Sequence, residues 1–153
     1  MIVSQKGVDL VKRFEGFVSH AYVCPKGVLT IGVGHTGSDV YQGQTITPEE
    51  AERLLHKDLN KFASKISYSL EQDKISVNQN QFDALCSFAF NLGYSALVFS
   101  TLWKKLKAGD YDGASDEFLK WVYITKTVGG ERVKIRLKGL ETRRNAERDL
   151  FLS

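Results

Sequence analysis

Residues 15–36 read EGFVSHAYVCPKGVLTIGVGHT. Helical spacing stops at the Glu15 that opens this stretch, and β-branched and aromatic residues broken by Gly27, Gly32 and Gly34 take over. The pattern predicts a small antiparallel sheet with a tight turn at Pro25-Lys26-Gly27, because proline presets a turn corner and glycine accepts the positive φ that closes it. Strands this few and this short do not stand alone in water. The rest of the chain must supply the surface they pack on.

Upstream, Val8, Val11 and Phe14 recur about one turn apart with Leu10 beside them, an amphipathic helix over 4–15 with Ser4 as its cap and Gly16 as its stop. Glu15 thus ends a helix, where the dipole disfavours a carboxylate by only about 0.3–1 kcal/mol. Shelter against aromatic side chains would have to supply any larger effect. Downstream, Thr47-Pro48-Glu49-Glu50 reads as a helix start, with Thr47 as cap and Pro48 at the first helical position. Leu54, Leu55, Leu59 and Phe62 carry the helical spacing to about Ile66, predicting one long helix. The segment 78–91 is apolar on most faces and stopped by Gly93, the pattern of a buried central helix. Shorter helices are predicted over 101–108, 111–122 and 138–151. The expected fold is therefore α+β and mostly helical, a single two-lobed domain with the small antiparallel sheet in the N-terminal lobe. The smaller lobe spans about 16–58, and the larger about 67–153 plus the helix 4–15, with the long helix linking them.

At 153 residues the chain can bury one sizeable core and not two independent ones. A hydrophobic share of 42% with 25% charged residues excludes a disordered chain. The net charge is +3, with many of the cations between Lys126 and Arg148. They read as a solvated face of helix-forming Lys and Arg, or as attraction to an anionic polymer such as a cell wall, an outer-membrane surface or nucleic acid. Two cysteines, Cys24 and Cys86, make no disulfide framework, and His20, His35 and His56 are scattered, so neither a metal nor another cofactor is expected. Lys6, Asp9, Lys12 and Arg13 interrupt any apolar run at the N-terminus, which predicts neither signal peptide nor membrane span. The expectation is accumulation in the cytoplasm of the cell that makes the protein.

Phe14-Glu15-Gly16, Ala21-Tyr22-Val23-Cys24, Gly27, Thr30-Ile31-Gly32 and Gly34-His35-Thr36-Gly37 occur in that order, and Asn91-Leu92-Gly93, Ser100-Thr101-Leu102, Lys138-Gly139-Leu140 and Arg143-Arg144 continue it. With this ordered set the chain resembles the phage-type lysozymes, or endolysins, of glycoside hydrolase family 24. The resemblance implies hydrolysis of the β-1,4 bond between N-acetylmuramic acid and N-acetylglucosamine in peptidoglycan, ending in host-cell lysis. It further implies a monomer that binds no nucleic acid, inserts in no membrane and reaches the wall through a holin-like pore. By the same resemblance Glu15, Cys24 and Thr30 are the catalytic positions, and Tyr22, Asn91, Ser100 and Thr101 are substrate-binding candidates. His35 and Asp58 fall where the family has a structural ion pair, which should raise the pKa of the imidazole. For Arg143 and Arg144 two placements are open, in reach of the cleft or on a solvent-facing helix, and the second is the expectation.

Glycosidic cleavage needs a proton on the leaving oxygen, because an alkoxide departs poorly unaided, and Glu15 is the group for that task. The family's usual second residue is an Asp that activates water. Here it is Cys24, and an ordinary thiol is mostly protonated at neutral pH, a weak base unless its pKa is depressed. Three readings stand open: an activated Cys24 thiolate, a tolerated Cys24 with Thr30 holding the water, or attack by a sugar hydroxyl in a lytic transglycosylase. The first two together are the working expectation. A reading of a different class is a wall-binding module whose missing Asp marks lost catalysis.

Overall fold

The computed structural model describes residues 1–153. Helix α1 (Gln5–Glu15) leads into a three-stranded antiparallel sheet of β1 (Val18–Val23), β2 (Leu29–Gly32) and β3 (His35–Thr36), in that order. At the β1–β2 turn the Gly27 amide donates to the Cys24 carbonyl at 2.8 Å and the Cys24 amide to the Val28 carbonyl at 2.9 Å. Gly27 has φ +78°, so Pro25 and Lys26 take the corners and the glycine absorbs the left-handed step. Tyr22 pairs with Thr30 and Thr30 with Thr36 across the sheet. Side chains alternate along a strand, so Tyr22, Cys24, Val28, Thr30 and Thr36 share one face while Ile31 turns to the other and is fully buried.

Helix α2 (Pro48–Gln72) starts where expected: the Thr47 hydroxyl accepts from the Glu50 amide at 3.2 Å, and Pro48 follows at the first helical position. It runs past the expected end near Ile66, because Ile66 and Leu70 continue its buried stripe. Ala51, Leu55 and Leu59 belong to a smaller core with Ile31, Val33 and Ile46. Ala63, Ile66 and Leu70 belong to a larger one. One helix thus links two apolar clusters. Val8 and Val11 of α1 sit in the smaller cluster, while α1 also packs on α3 (Gln79–Leu92).

The larger core centres on α3, buried from Phe82 through Ala89 and capped by a reciprocal Asn78–Gln81 pair at 2.8 and 2.9 Å. Around it lie α4 (Tyr94–Val98), α5 (Thr101–Lys107), α6 (Tyr111–Glu117), a tight turn at Phe118–Lys120, and α7 (Lys138–Leu152). Phe88 of α3 meets Phe118 and Trp121 edge-on at 5.6 and 5.4 Å.

Several expectations are corrected. Ser4 has the backbone of a cap, but its amide and hydroxyl go to the buried Asp83 carboxylate instead of back to α1, with the amide at 3.0 Å. The helix expected over 111–122 ends at Glu117. The stretch after it, for which no element is predicted from the sequence and whose cations read as a solvated face of helix formers or an attractor of anionic polymers, forms an antiparallel hairpin of β4 (Tyr123–Val128) and β5 (Glu131–Arg136) around Gly129-Gly130. Its Tyr, Ile, Thr and Val alternation is a strand pattern that the run of Lys and Arg obscured. Arg143 and Arg144 do not face solvent: their exposures are 4% and 0%.

Candidate active site

A groove of about 580 Å³ opens between the sheet and the helices, and Glu15, Tyr22, Cys24, Thr30 and Asn91 all line it. The sheet contributes its Tyr22, Cys24, Thr30 face, α1 contributes its last residue, and Phe62 of α2 and Phe90 of α3 form an apolar wall with ring centroids 5.9 Å apart. Four residues named from the sequence thus join Glu15 there. Ser100 and Thr101 do not. Ser100 caps α5, accepting from the Trp103 amide at 3.1 Å and donating to the Leu97 carbonyl at 2.6 Å. Thr101 lines a separate pocket with Glu117 and Trp121.

Glu15 is held from behind. Arg143 Nη1 donates to its Oε1 at 3.1 Å, leaving Oε2 as the free oxygen. Oε2 lies beside Gly34, where an added Cβ would come within 3.2 Å of it. Gly34, at φ +66°, therefore supplies both the strand corner and the space for the carboxylate. Arg143 also donates from Nε to Glu147 at 3.3 Å and from Nη2 to the Ser87 carbonyl at 3.2 Å. Glu147 is fully buried and further accepts from Arg144 at 2.8 Å and from the Ser87 hydroxyl at 2.6 Å. Burial pushes its carboxyl pKa up against the opposing pull of the two arginines. Burial also lowers Arg144 to about 10, where it stays protonated at neutral pH. Arg144 in turn donates to Asn91 Oδ1. An arginine only donates, so the Asn91 oxygen is fixed toward it and the amide NH₂ is left for the groove. Glu15 and Asn91 were expected at the site, and the Arg143, Glu147 and Arg144 link between them is what reading the sequence did not find. Its signal was the i,i+3 and i,i+4 spacing of Arg144 and Arg143 to Glu147.

Cys24 is half-buried, and its pKa is lowered, first by the hydrogen bond of the Val28 backbone and then by the Thr30 hydroxyl. Thr30 is buried, and its single hydroxyl hydrogen is given to the Val28 carbonyl at 2.9 Å, so its lone pairs are presented elsewhere. That hydrogen reaches Cys24 only when turned away from Val28, so while it is given to Val28 the thiolate is favoured first by the Val28 backbone. Burial, then the charges of Glu15 and Cys24, push the Tyr22 phenol up, which keeps it a donor. Cys86 lies in the larger core, where burial pushes its thiol far up.

The His35–Asp58 pair forms, with Nδ1 to Asp58 Oδ2 at 2.6 Å. A second partner had not been expected: Asp39 meets Nε2 at 2.9 Å. Burial works to lower the pKa of His35, but these hydrogen bonds outweigh it and the net shift is upward. No three His, Cys, Asp or Glu side chains converge to ligate a metal ion.

Residues 12–147 match the family model described as Phage lysozyme. The chain is 44% identical to the endolysin of Acyrthosiphon pisum secondary endosymbiont phage 1, over 100% of this chain and 99% of that relative. Among solved structures it superposes on the endolysin from Escherichia coli O157:H7 phage FAHEc1 with a TM-score of 0.87 at 36% identity, covering 100% of this chain and 94% of the other. It is equally similar in shape to the muramidase domain of SpmX from Asticaccaulis excentricus, with a TM-score of 0.87 at 33% identity, covering 99% and 97%.

Proposed function

Because this chain belongs to the phage lysozyme family, it is a glycoside hydrolase that degrades peptidoglycan, and we propose that the groove is its substrate site and that Glu15 protonates the departing oxygen of the β-1,4 bond between N-acetylmuramic acid and N-acetylglucosamine. The observation that carries this assignment is the orientation of the carboxyl group, with Oε1 fixed by Arg143 and Oε2 open beside Gly34. A fixed acid needs no reorganisation as the bond breaks.

Water attacks the anomeric carbon as that bond opens. Thr30, whose hydrogen is committed to Val28, accepts a hydrogen bond from the water and orients it, and the Cys24 thiolate takes its proton. Protons balance: one leaves Glu15 for the leaving sugar and one reaches Cys24 from water. The lowered pKa of Cys24 supports this use of a thiol where the family's usual residue is an Asp. Tyr22 and the Asn91 NH₂ are donors for the N-acetyl and hydroxyl oxygens of the sugars, and Phe62 and Phe90 give an apolar wall for their ring faces.

Electrostatics fit a charged polymer. Each groove carboxylate has a cationic partner behind it, Arg143 for Glu15 and His35 for Asp58. Lys26 and Lys61 also line the groove and have no ion-pair partner within 4.0 Å. The surplus positive charge suits a glycan whose stem peptides carry free carboxylates. Within the proposal the chain works as a monomer, as one domain with a smaller lobe over about 16–58, and reaches the wall from the host cytoplasm through a holin-like pore.

The test is mass spectrometry of digested peptidoglycan. Fragments with reducing ends are expected. Fragments with 1,6-anhydro ends would replace hydrolysis by transglycosylation, and no fragments would leave only binding.

A further inference from the structure

The β4–β5 hairpin stands apart from the rest of the fold. Every residue of its strands is exposed except the partly buried Ile135, and the hairpin is closed at its base by the Leu137 amide donating to the Val122 carbonyl at 2.9 Å. The register Ile124 with Ile135, Lys126 with Val133 and Val128 with Glu131 defines its two faces. One carries Ile124, Val128, Val133 and Ile135 with Lys126 and Glu131. The other carries Arg132, Lys134 and Arg136 opposite Thr127, Thr125 and Tyr123, and Tyr123, Thr125 and Lys134 turn toward the protein body, where they line a pocket with Trp121. Apart from the partly buried Ile135 at its base, the aliphatic face is open to solvent, with Ile124, Val128 and Val133 exposed by 39%, 55% and 41%.

Charge singles out the same segment. Residues 123–136 hold four cations, Lys126, Arg132, Lys134 and Arg136, against one Glu131, a balance of +3, and the whole chain also sums to +3. The other residues are thus neutral in total, and the protein's net charge resides on this hairpin.

We propose that the β4–β5 hairpin is a docking surface for an anionic lipid bilayer, on which it lies with its aliphatic face in the headgroup boundary, Lys126 among the lipid phosphates and the three cations of the opposite face within reach of their field. A purely ionic polymer would use the cations but leave the aliphatic face unexplained. A second copy of the chain is disfavoured, because two hairpins of like charge would meet and four aliphatic side chains fall short of the roughly 1,000 Å² that a specific interface needs. Lys126 within the aliphatic face fits a bilayer edge, since its stem can lie along the tails while its ammonium returns to the phosphates. Glu131 opposes docking at the tip, and lies diagonal to Lys126, which can offset it. The cations of the opposite face lie about 10 Å or less from the lipid, within about one Debye length. No helix is long and apolar enough to cross a membrane, and the proposed docking requires no crossing. It would hold the enzyme beside a membrane that faces the wall, a role that rests on the peptidoglycan reading while the binding itself does not.

The test uses the full chain with vesicles of phosphatidylcholine alone, or of phosphatidylethanolamine with phosphatidylglycerol, sedimented at low and high salt. Binding to the phosphatidylglycerol vesicles alone, weakened by salt, is expected. Arg132→Gln with Lys134→Gln should weaken it at least about threefold, less than the roughly fivefold per cation of residues at the lipid surface, because both lie about one Debye length away. Ile124→Thr with Val133→Thr keeps strand formers and should weaken it at least about tenfold. Cleavage of lipid-free peptidoglycan by both variants at the parent rate is the folding control. No sedimentation with either vesicle overturns the proposal. So does an Ile124→Thr, Val133→Thr variant that binds like the parent, which would leave an ionic polymer site, or a dimer that the same pair of substitutions dissociates. Loss of cleavage by the parent protein would count against the enzymatic reading alone.

Discussion

Replacing Arg143 with Met separates what the buried charge chain does for stability from what it does for chemistry. Arg143 is 4% exposed and touches two carboxylates, the fully buried Glu147 and the partly exposed Glu15. Breaking a buried pair from one side costs about 3–5 kcal/mol. Glu147 keeps Arg144 at 2.8 Å and Ser87 at 2.6 Å, so the low end applies, about 3 kcal/mol. In a chain of this size that corresponds to a fall in Tm of roughly 6–12 °C. Catalysis suffers separately, because Glu15 loses the contact that fixes Oε1, and a misplacement of about 1 Å costs on the order of a hundredfold. The loss should fall on kcat with KM little changed, measured on dye-labelled peptidoglycan well below the variant's Tm. Adding Glu147→Gln should deepen the stability loss, because the fully buried Arg144 then loses its carboxylate partner, and should leave the catalytic loss as it stands. A Tm within about 2 °C of the parent, or an unchanged kcat, would refute this division of labour.

Stability should fall on the alkaline side through His35. Its folded pKa lies above the ordinary 6.5, so the stabilisation from Asp58 and Asp39 is fully present below about pH 6.5 and is lost as pH rises through the raised folded value. Asp39, whose pKa is lowered mainly by His35, loses its share as pH falls through its own depressed value. Denaturant melts across this range should show His35→Asn flattening the alkaline slope, and an unchanged slope would remove the pair as its source. In the folded protein iodoacetamide should modify Cys24 alone, with a pH midpoint below the ordinary thiol value, while Cys86 reacts only after unfolding. Modified protein that keeps full lytic rate would show that the Cys24 thiol takes no part. Lys26→Gln with Lys61→Gln should raise KM on peptide-bearing peptidoglycan by roughly tenfold and reduce its salt dependence, with little effect on strands stripped of stem peptides. Equal effects on both substrates would mean that the lysines do not read peptide charge.

The parts of the fold governed by local chemistry were legible in the chain. The Cys24-to-Gly27 turn, the Thr47-Pro48 start of α2 and the buried centre of α3 each follow from residues within a few positions of one another. So does the groove face of the β1–β2 pair, because strand alternation alone puts Tyr22, Cys24 and Thr30 on the same side. The contact from Arg143 to Glu15 was not legible, since its partners lie 128 positions apart and the i,i+4 spacing of Arg143 to Glu147 announces a pair without announcing its burial. Ser4 misled for a related reason: its neighbours describe a cap, but its partner is Asp83. The β4–β5 hairpin was hidden by its own cations, which suit a solvated helix as readily as a free-standing pair of strands.

Glu15→Gln in otherwise unchanged protein is the most direct measurement. The amide that replaces the carboxyl keeps its shape and a carbonyl for Arg143 but carries no acidic proton. The variant should melt close to the parent and release no soluble fragments from purified peptidoglycan over times in which the parent completes digestion. A folded variant that still released them at a comparable rate would contradict the assignment of Glu15 as the acid.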